Sequence, residues 1–352
     1  MKILFLLKRG QLSYGSSKAG LITSARLVKD YLEESLHIAC ELKICVDGNS
    51  IDREVFLFKP DYCILEAIWV TPEKLRELTK LHPKVIFVIR VHSEIPFLSQ
   101  EGCAIEWLIS SSKIPNVKVA FNSLTTIDDF RYSTGIRPSY LPNIYEHINH
   151  PKTMRTELEE LQYYVSKFLV NNWIWRISCN PLNVGCFGAI RPFKNQLLQA
   201  MAAIQFADNQ GVRLRFHINS ERVEQGGESV LKNLRSLFRH SHKHQLIEHP
   251  WMKRHKFLEV VSEMDVGMQA SFNESFNIVT ADFVKEEIPI IVSNTIEWMP
   301  SVARVDPNSQ PEMVAKLAEC LFYRNFFVDI SKVYLGRHNH KAQKAWQHFL
   351  KV

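Results

Sequence analysis

What most constrains this chain is a rhythm: short apolar runs alternate with longer stretches whose apolar residues recur every three or four positions. A continuous apolar run bounded by turn residues is a strand buried on both faces, and the longer stretches are amphipathic helices. Their alternation marks parallel sheets with crossover helices. In the first half the pattern predicts strands at 3–7, 42–46, 62–66, 85–91 and 117–121. It also predicts helices over 23–38, where Val28, Tyr31, Leu32 and Leu36 share a face, and over 72–81. From 182 a second series predicts strands at 184–187, 213–218, 245–247, 266–269 and 289–293. Helices are expected between them at 195–207, 228–240, 253–263 and 275–285. The charged and aromatic stretch 152–175 fits neither series and reads as a helical connector.

A length of 352 residues has room for two domains. The expected organisation is a Rossmann-like domain at 1–150, a connector at 151–181, a second Rossmann-like domain at 182–330 and a helical segment at 331–352. Within that last segment a short basic helix at 342–350 is expected to pack back on the first domain. The fold class is α/β: two doubly wound parallel-sheet domains facing a central cleft. Ligands of such folds bind beyond the carboxyl ends of the strands, where helix N-termini favour phosphate. The fold alone does not choose a chemistry.

A composition of 46% hydrophobic and 23% charged residues excludes global disorder, and no apolar run is long enough to span a bilayer. The start, Met1 to Arg9, has too short an apolar core for a signal peptide and no small-residue cleavage site after it. The seven cysteines form an odd set without a Cys-x-x-Cys pair, most of them in apolar stretches. That usage points to buried thiols in a reducing, cytoplasmic setting, not to disulfides or a zinc site. The net charge of +6, with fourteen histidines besides, leans toward anionic partners.

The most informative stretch runs Ser271-Phe272-Asn273-Glu274-Ser275-Phe276-Asn277-Ile278-Val279-Thr280-Ala281-Asp282 and leads to Glu287-Ile288-Pro289-Ile290-Ile291. It sets two acids eight positions apart, which on a helix is a rise of about 12 Å and a rotation of about 80°. Acceptors so placed suit two hydroxyl-bearing parts of one elongated ligand. Alternatively, Glu274 serves only the helix dipole and Asp282 is a solvated acid. Upstream, Gly185-Cys186-Phe187-Gly188-Ala189-Ile190-Arg191-Pro192-Phe193-Lys194-Asn195 follows a strand with two cations that suit a diphosphate, or that are merely solvated beside a turn. In the first half, Ile89-Arg90-Val91-His92-Ser93-Glu94 puts a histidine directly after a strand. The loop 11–20 holds Gly15 and Gly20 without a Gly-Lys-Ser/Thr ending, so it is no NTPase phosphate loop, though its amides can approach a ligand.

These segments resemble the retaining GT-B glycosyltransferases, the family that includes sucrose synthases and many bacterial and phage sugar transferases. Glu274 matches the first acid of the family's signature, Asp282 stands for its usual second Glu, and Glu287 stands where a Gly is expected. Lys194 matches the family's diphosphate-binding Lys, while Ala189 occupies the usual Arg position and Arg191 lies two residues on. The resemblance implies a nucleotide-diphosphate sugar as donor substrate, with no cofactor. In it Arg191 and Lys194 neutralise the diphosphate, Glu274 holds sugar hydroxyls with Ser275 and Phe276 beside it, Asp282 reaches the ribose, and Gly15 and His92 come from the first domain. Leu141-Pro142-Asn143 resembles the turn that closes that domain, and reads equally well as a turn alone. Segment 90–107 also resembles glycosyltransferases encoded by tailed phages.

There is no Asp-x-Asp metal clamp, His-Glu-x-x-His, Gly-x-Ser-x-Gly or Gly-x-Gly-x-x-Gly in a dinucleotide position. The resemblance implies a retaining transferase and the missing clamp a metal-independent one, with no obvious nucleophile. For the acceptor, the phage resemblance and the basic stretch 235–256 point first to a hydroxymethylated base in DNA, which requires base extrusion. A surface glycan or lipid-linked acceptor is the alternative. A non-catalytic nucleotide-sugar or DNA-binding protein and an epimerase are also compatible. His240, His242, His244, His249 and His255 read either as a metal cluster or as a solvated basic segment.

Overall fold

The computed structural model describes residues 1–9, 19–146 and 181–352. The chain divides into two compact units, one of residues 1–146 with 338–352 and the other of 147–337. The first is built on a parallel sheet in the order β2-β1-β3-β4-β5-β6. Its strands are β1 (Lys2–Lys8), β2 (Ala39–Cys45), β3 (Tyr62–Glu66), β4 (Ile86–Val91), β5 (Val117–Phe121) and β6 (Ser139–Tyr140). They are joined by α1 (Ala19–Leu36), α2 (Ser50–Phe58), α3 (Pro72–Leu81), α4 (Ile95–Leu98), α5 (Ala104–Ser112) and α6 (Leu124–Thr134). Side-chain alternation along β1 feeds two cores. Leu4 and Leu6 join Cys63, Leu65, Phe87 and Ile89 on one face. Ile3, Phe5 and Leu7 join Ile64, Val88 and the α1 residues Val28 and Leu32 on the other. Burial on both faces is why these strands read as unbroken apolar runs. The chain's last helix reaches the second core through Ala342, Trp346 and Leu350.

The second unit has the order β12-β11-β10-β7-β8-β9, again parallel. Its strands are β7 (Leu182–Gly185), β8 (Leu214–Asn219), β9 (Gln245–His249), β10 (Val266–Gln269), β11 (Ile290–Ser293) and β12 (Arg304–Val305). The helices are α7 (Gln196–Asn209), α8 (Gly227–Arg239), α9 (Arg254–Ser262), α10 (Ile278–Lys285) and α11 (Gln310–Phe322), and α12 (Arg324–Leu350) begins in this unit while its residues from 338 on belong to the first. The series runs outward from β7 in one direction and from β10 in the other, so strand order reverses between them. Sheets of this kind bind ligands beyond the carboxyl ends of the strands at such a reversal, here those of β7 and β10. In these two strands Gly185 and Gly267 are register partners, and a Cβ on either would lie 2.7 Å from the ring of Phe283 in α10. The glycines form a floor that lets α10 press onto the sheet.

Several expectations are corrected. Helix α10 begins at Ile278, not at 275, because Asn277 adopts φ 54° and ψ 86° and its side chain caps the Thr280 amide at 3.1 Å. Glu274 consequently lies in the preceding loop, and the helical spacing of Glu274 and Asp282 does not apply. The last helix is 27 residues long and starts at Arg324, in place of the short basic helix expected. Helices α2, α4, α5, α6 and α11 are additional to the expected set. The connector helix at 152–175 and Gly15 lie outside the described residues. Cys40, Cys45, Cys63, Cys186 and Cys320 are buried free thiols and Cys103 a half-buried one. Among the described residues no helix is long and apolar enough to cross a membrane.

Candidate active site

The loops that follow β7 and β10 are fastened to each other by buried carboxamides. Phe272 donates its amide to the Phe193 carbonyl at 2.9 Å, and Asn195 Nδ2 donates to Ala270 O at 3.1 Å. Gln199 donates to Lys194 O at 2.7 Å while its own oxygen accepts the Ala270 amide at 2.8 Å. Gln269 donates to Phe187 O at 2.9 Å and accepts from Asn277 Nδ2 at 2.9 Å. Gln199 and Gln269 each make one bond across the gap and one within their own segment, using donor and acceptor faces together, so neither loop can shift without stranding buried polar groups. Sequence reasoning missed this set. The available signal was Gln and Asn standing at positions that face a core.

This scaffold brings Lys194 and Glu274 together. Lys194 ends a one-turn 3-10 helix, Pro192–Lys194, and its ammonium forms an ion pair with Glu274 Oε1, the two side chains being 10% and 11% exposed. Burial pulls the Lys194 pKa below its ordinary value; Glu274 opposes that pull and neighbouring Arg191 adds to it. Beneath the ammonium lies Gly188, at φ 116°, where a side chain would be strained and would meet Lys194 Nζ at 3.8 Å. Its amide donates to Asn219 Oδ1 at 3.0 Å. A cation and a carboxylate thus neutralise each other at the strand-order reversal, the first able to receive a diphosphate and the second to accept hydrogen bonds from hydroxyls.

The other predicted residues fall around this pair or apart from it. Ser275 is half-buried in the same loop as Glu274. Phe276 is buried, stacked on Trp298 at 5.5 Å, and its carbonyl accepts from the Trp298 indole at 2.6 Å. Asp282 is buried in α10 and pairs with Arg254 at 2.7 Å. His92 belongs to the first unit, directly after β4, and its Nε2 bonds to Glu66 Oε2. Burial holds the His92 pKa below its usual value, with Arg90 acting in the same direction and Glu66 opposing.

The basic stretch 235–256 carries the six cations Arg235, Arg239, Lys243, Lys253, Arg254 and Lys256, and four of them have carboxylate partners. These are Arg235 with Glu248, Lys243 with Asp208, Arg254 with Asp282 and Lys256 with Glu259. The face is largely self-neutralised, which weakens its suitability for a polyanion. Its histidines are also dispersed. His244 accepts the Leu214 amide through Nδ1, His249 stacks on His217, and His240 bonds the Ser236 carbonyl. Among the described residues no group of three His, Cys, Asp or Glu is placed to hold a metal.

No protein-family model matches the chain, and no curated protein matches it in sequence. Solved structures match it in fold. Anabaena Alr3699/HepE in complex with UDP superposes with a TM-score of 0.64 at 16% identity, over 100% of both chains. A UDP-forming α,α-trehalose-phosphate synthase from Burkholderia xenovorans gives 0.63 at 10% identity, over 100% of this chain and 98% of that one. An E. coli trehalose-6-phosphate protein bound with UDP-2-fluoroglucose gives 0.61 at 10% identity, over 99% of each. With its two six-stranded parallel sheets, the chain has the fold of the GT-B glycosyltransferases, two Rossmann-like domains in one polypeptide.

Proposed function

We propose that this protein is a glycosyltransferase that moves a sugar from a UDP-sugar to a hydroxyl acceptor, with retention at the anomeric carbon and without a metal. The observation that carries the proposal is the Lys194–Glu274 pair, one residue from each loop at the strand-order reversal of the second sheet. The UDP held by HepE, a structure of the same fold, supports a uridine donor.

In this reading the donor divides the ion pair. Its diphosphate takes the place of Glu274 beside Lys194, with Arg191 adding positive charge, and Glu274 turns to the hydroxyls of the sugar. Ser275 flanks the same group. Asp282, its charge balanced by Arg254, takes a ribose hydroxyl, and His92 is a further candidate for contact with the sugar. Phe276 acts through its packing on Trp298, which fixes the loop. The bond from the anomeric carbon to the β-phosphate oxygen breaks as the acceptor oxygen bonds to that carbon on the same face. The acceptor's proton passes to the departing phosphate. Fixed cations stabilise the charge that develops on the leaving group, and preorganised electrostatics of this kind usually lower the barrier more than any other device of an active site. Among the described residues no side chain stands out as a covalent nucleophile, which favours this same-face route.

The paired cations of 235–256 favour a sugar or glycan hydroxyl as acceptor over a base in DNA. The test is UDP release from a panel of UDP-sugars, with glycan acceptors and hydroxymethylated duplex DNA compared. NMR of the product's anomeric configuration checks retention, and persistence of transfer in excess EDTA checks metal independence. Tight binding of a UDP-sugar with no release under any condition would sink the enzyme reading and leave a nucleotide-sugar-binding protein.

A further inference from the structure

In the first unit, Glu66 and Arg90 are register partners at the ends of β3 and β4, and His92 follows two residues on, on the same face. Both charged side chains are fully buried. Arg90 uses its whole fork: Nη1 donates to Glu66 Oε1 at 3.0 Å and Oε2 at 3.3 Å, Nε to Leu141 O at 2.9 Å, and Nη2 to Pro142 O at 3.0 Å and Asn143 Oδ1 at 2.7 Å. Trp346 covers the guanidinium at 5.3 Å and donates its indole N–H to Pro142 O at 2.9 Å. The Glu66 carboxylate therefore cannot rotate, and its Oε2 meets the imidazole Nε2 of His92. Burial alone would raise the Glu66 pKa, yet Arg90 and His92 hold it below the ordinary carboxylate range. An ionised carboxylate only accepts, so Nε2 carries the proton.

Burying two charges at the carboxyl ends of two central strands costs several kcal/mol per ion, and apolar residues of the same volume serve stability as well or better. The arrangement is explained if it fixes the ring that follows. We infer that Glu66, locked by Arg90, is a positioning residue for His92, holding its imidazole in one orientation as the Nε2–H tautomer with Nδ1 as the ring's acceptor. This rests on the reading of His92 as a sugar contact, and it assigns Glu66 and Arg90 no contact with substrate.

The experiment is 15N NMR of the imidazole signals in the full chain, the His92 signal being identified by its loss in His92→Gln, beside transfer assays. Wild type should show a single Nε2–H tautomer at neutral pH. The double variant Glu66→Met with Arg90→Met keeps volume and removes both charges together, which buried pairs tolerate. It should show tautomer-averaged shifts and transfer reduced at least tenfold, mostly in kcat. Glu66→Gln, which still accepts from Nε2–H, should retain the tautomer. A folded double variant with the wild-type tautomer overturns the inference, whatever its activity. If the double variant does not fold, an Nδ1–H tautomer or an imidazolium in wild type overturns it equally. Wild-type transfer by His92→Gln would instead remove the sugar-contact role while the tautomer measurement still decides what Glu66 does.

Discussion

Replacing Glu274 by Gln should tighten the binding of bare UDP while nearly abolishing transfer. In the unliganded site the buried ammonium of Lys194 already has its counter-ion, so a diphosphate must displace a carboxylate and then sit near it. At an effective dielectric of about 20, unit charges about 4 Å apart interact by about 4 kcal/mol. If screening and rearrangement leave only about a third of this, removing the Glu274 charge is worth roughly 1.4 kcal/mol, or about tenfold in affinity. Gln keeps the shape and can still accept a hydrogen bond, so the loop should hold. The unliganded variant should be less stable by about 3 kcal/mol, because Lys194 is left buried without a counter-ion, and UDP should restore that loss. Transfer should fall about 100-fold as a charged contact to the sugar is lost. Calorimetric titration of UDP into both proteins, beside UDP release from the sugar donor, measures the two effects. UDP affinity that falls in step with transfer would refute the competition argument and make Glu274 a structural residue.

Other consequences can be checked separately. Lys194→Ala should lower transfer by about 100-fold or more with a cooperative melt retained, since one fixed cation at the leaving group is lost; full activity would remove the diphosphate assignment. Gly267→Ala puts a methyl 2.7 Å from the Phe283 ring and should cost about 1–3 kcal/mol in urea unfolding, partly recovered by Phe283→Leu. Unchanged stability would mean that the ring can retreat. Burial, with His249 and Arg215 adding to it, takes the His217 pKa down to about 3, whereas an unfolded His titrates near about 6.5. The unfolded chain then binds the proton first, so stability present above about pH 6.5 is lost as pH falls toward 3, by up to about 1.4 kcal/mol per pH unit. His217→Asn should flatten that slope, and equal slopes in the two proteins would contradict the assignment.

The parts of the fold visible in the sequence are those where one periodicity dominates. Strands β3, β5 and β10 lie where the sequence predicts them because most of their residues are apolar and buried, and α3 announces itself with Thr71 as cap and Pro72 at its first position. Helix α2 was hidden because Phe56 and Leu57, 66% and 63% exposed, blur its apolar stripe. The start of α10 depended on a left-handed Asn277, and that conformation is held by contact with Gln269 from a different element. Within the candidate site, Lys194 and Glu274 were legible because each sits in a motif of its own. Glu66 and Arg90 were not, although charges closing otherwise apolar strands are rare enough to question. Knowing that they meet requires knowing that β3 lies beside β4, which no local pattern states.

The tail of α12 places Ala342, Trp346 and Leu350 among residues from the opening strand and helix. During synthesis the first sheet is made early, but one wall of its interior arrives only with residues 338–352. Until then Arg90 lacks its indole lid, and Pro142 the donor that the lid provides. Maturation of the imidazole cradle is thereby tied to translation of a segment far downstream, and a ribosome that stops short of residue 338 releases a sheet with an open flank.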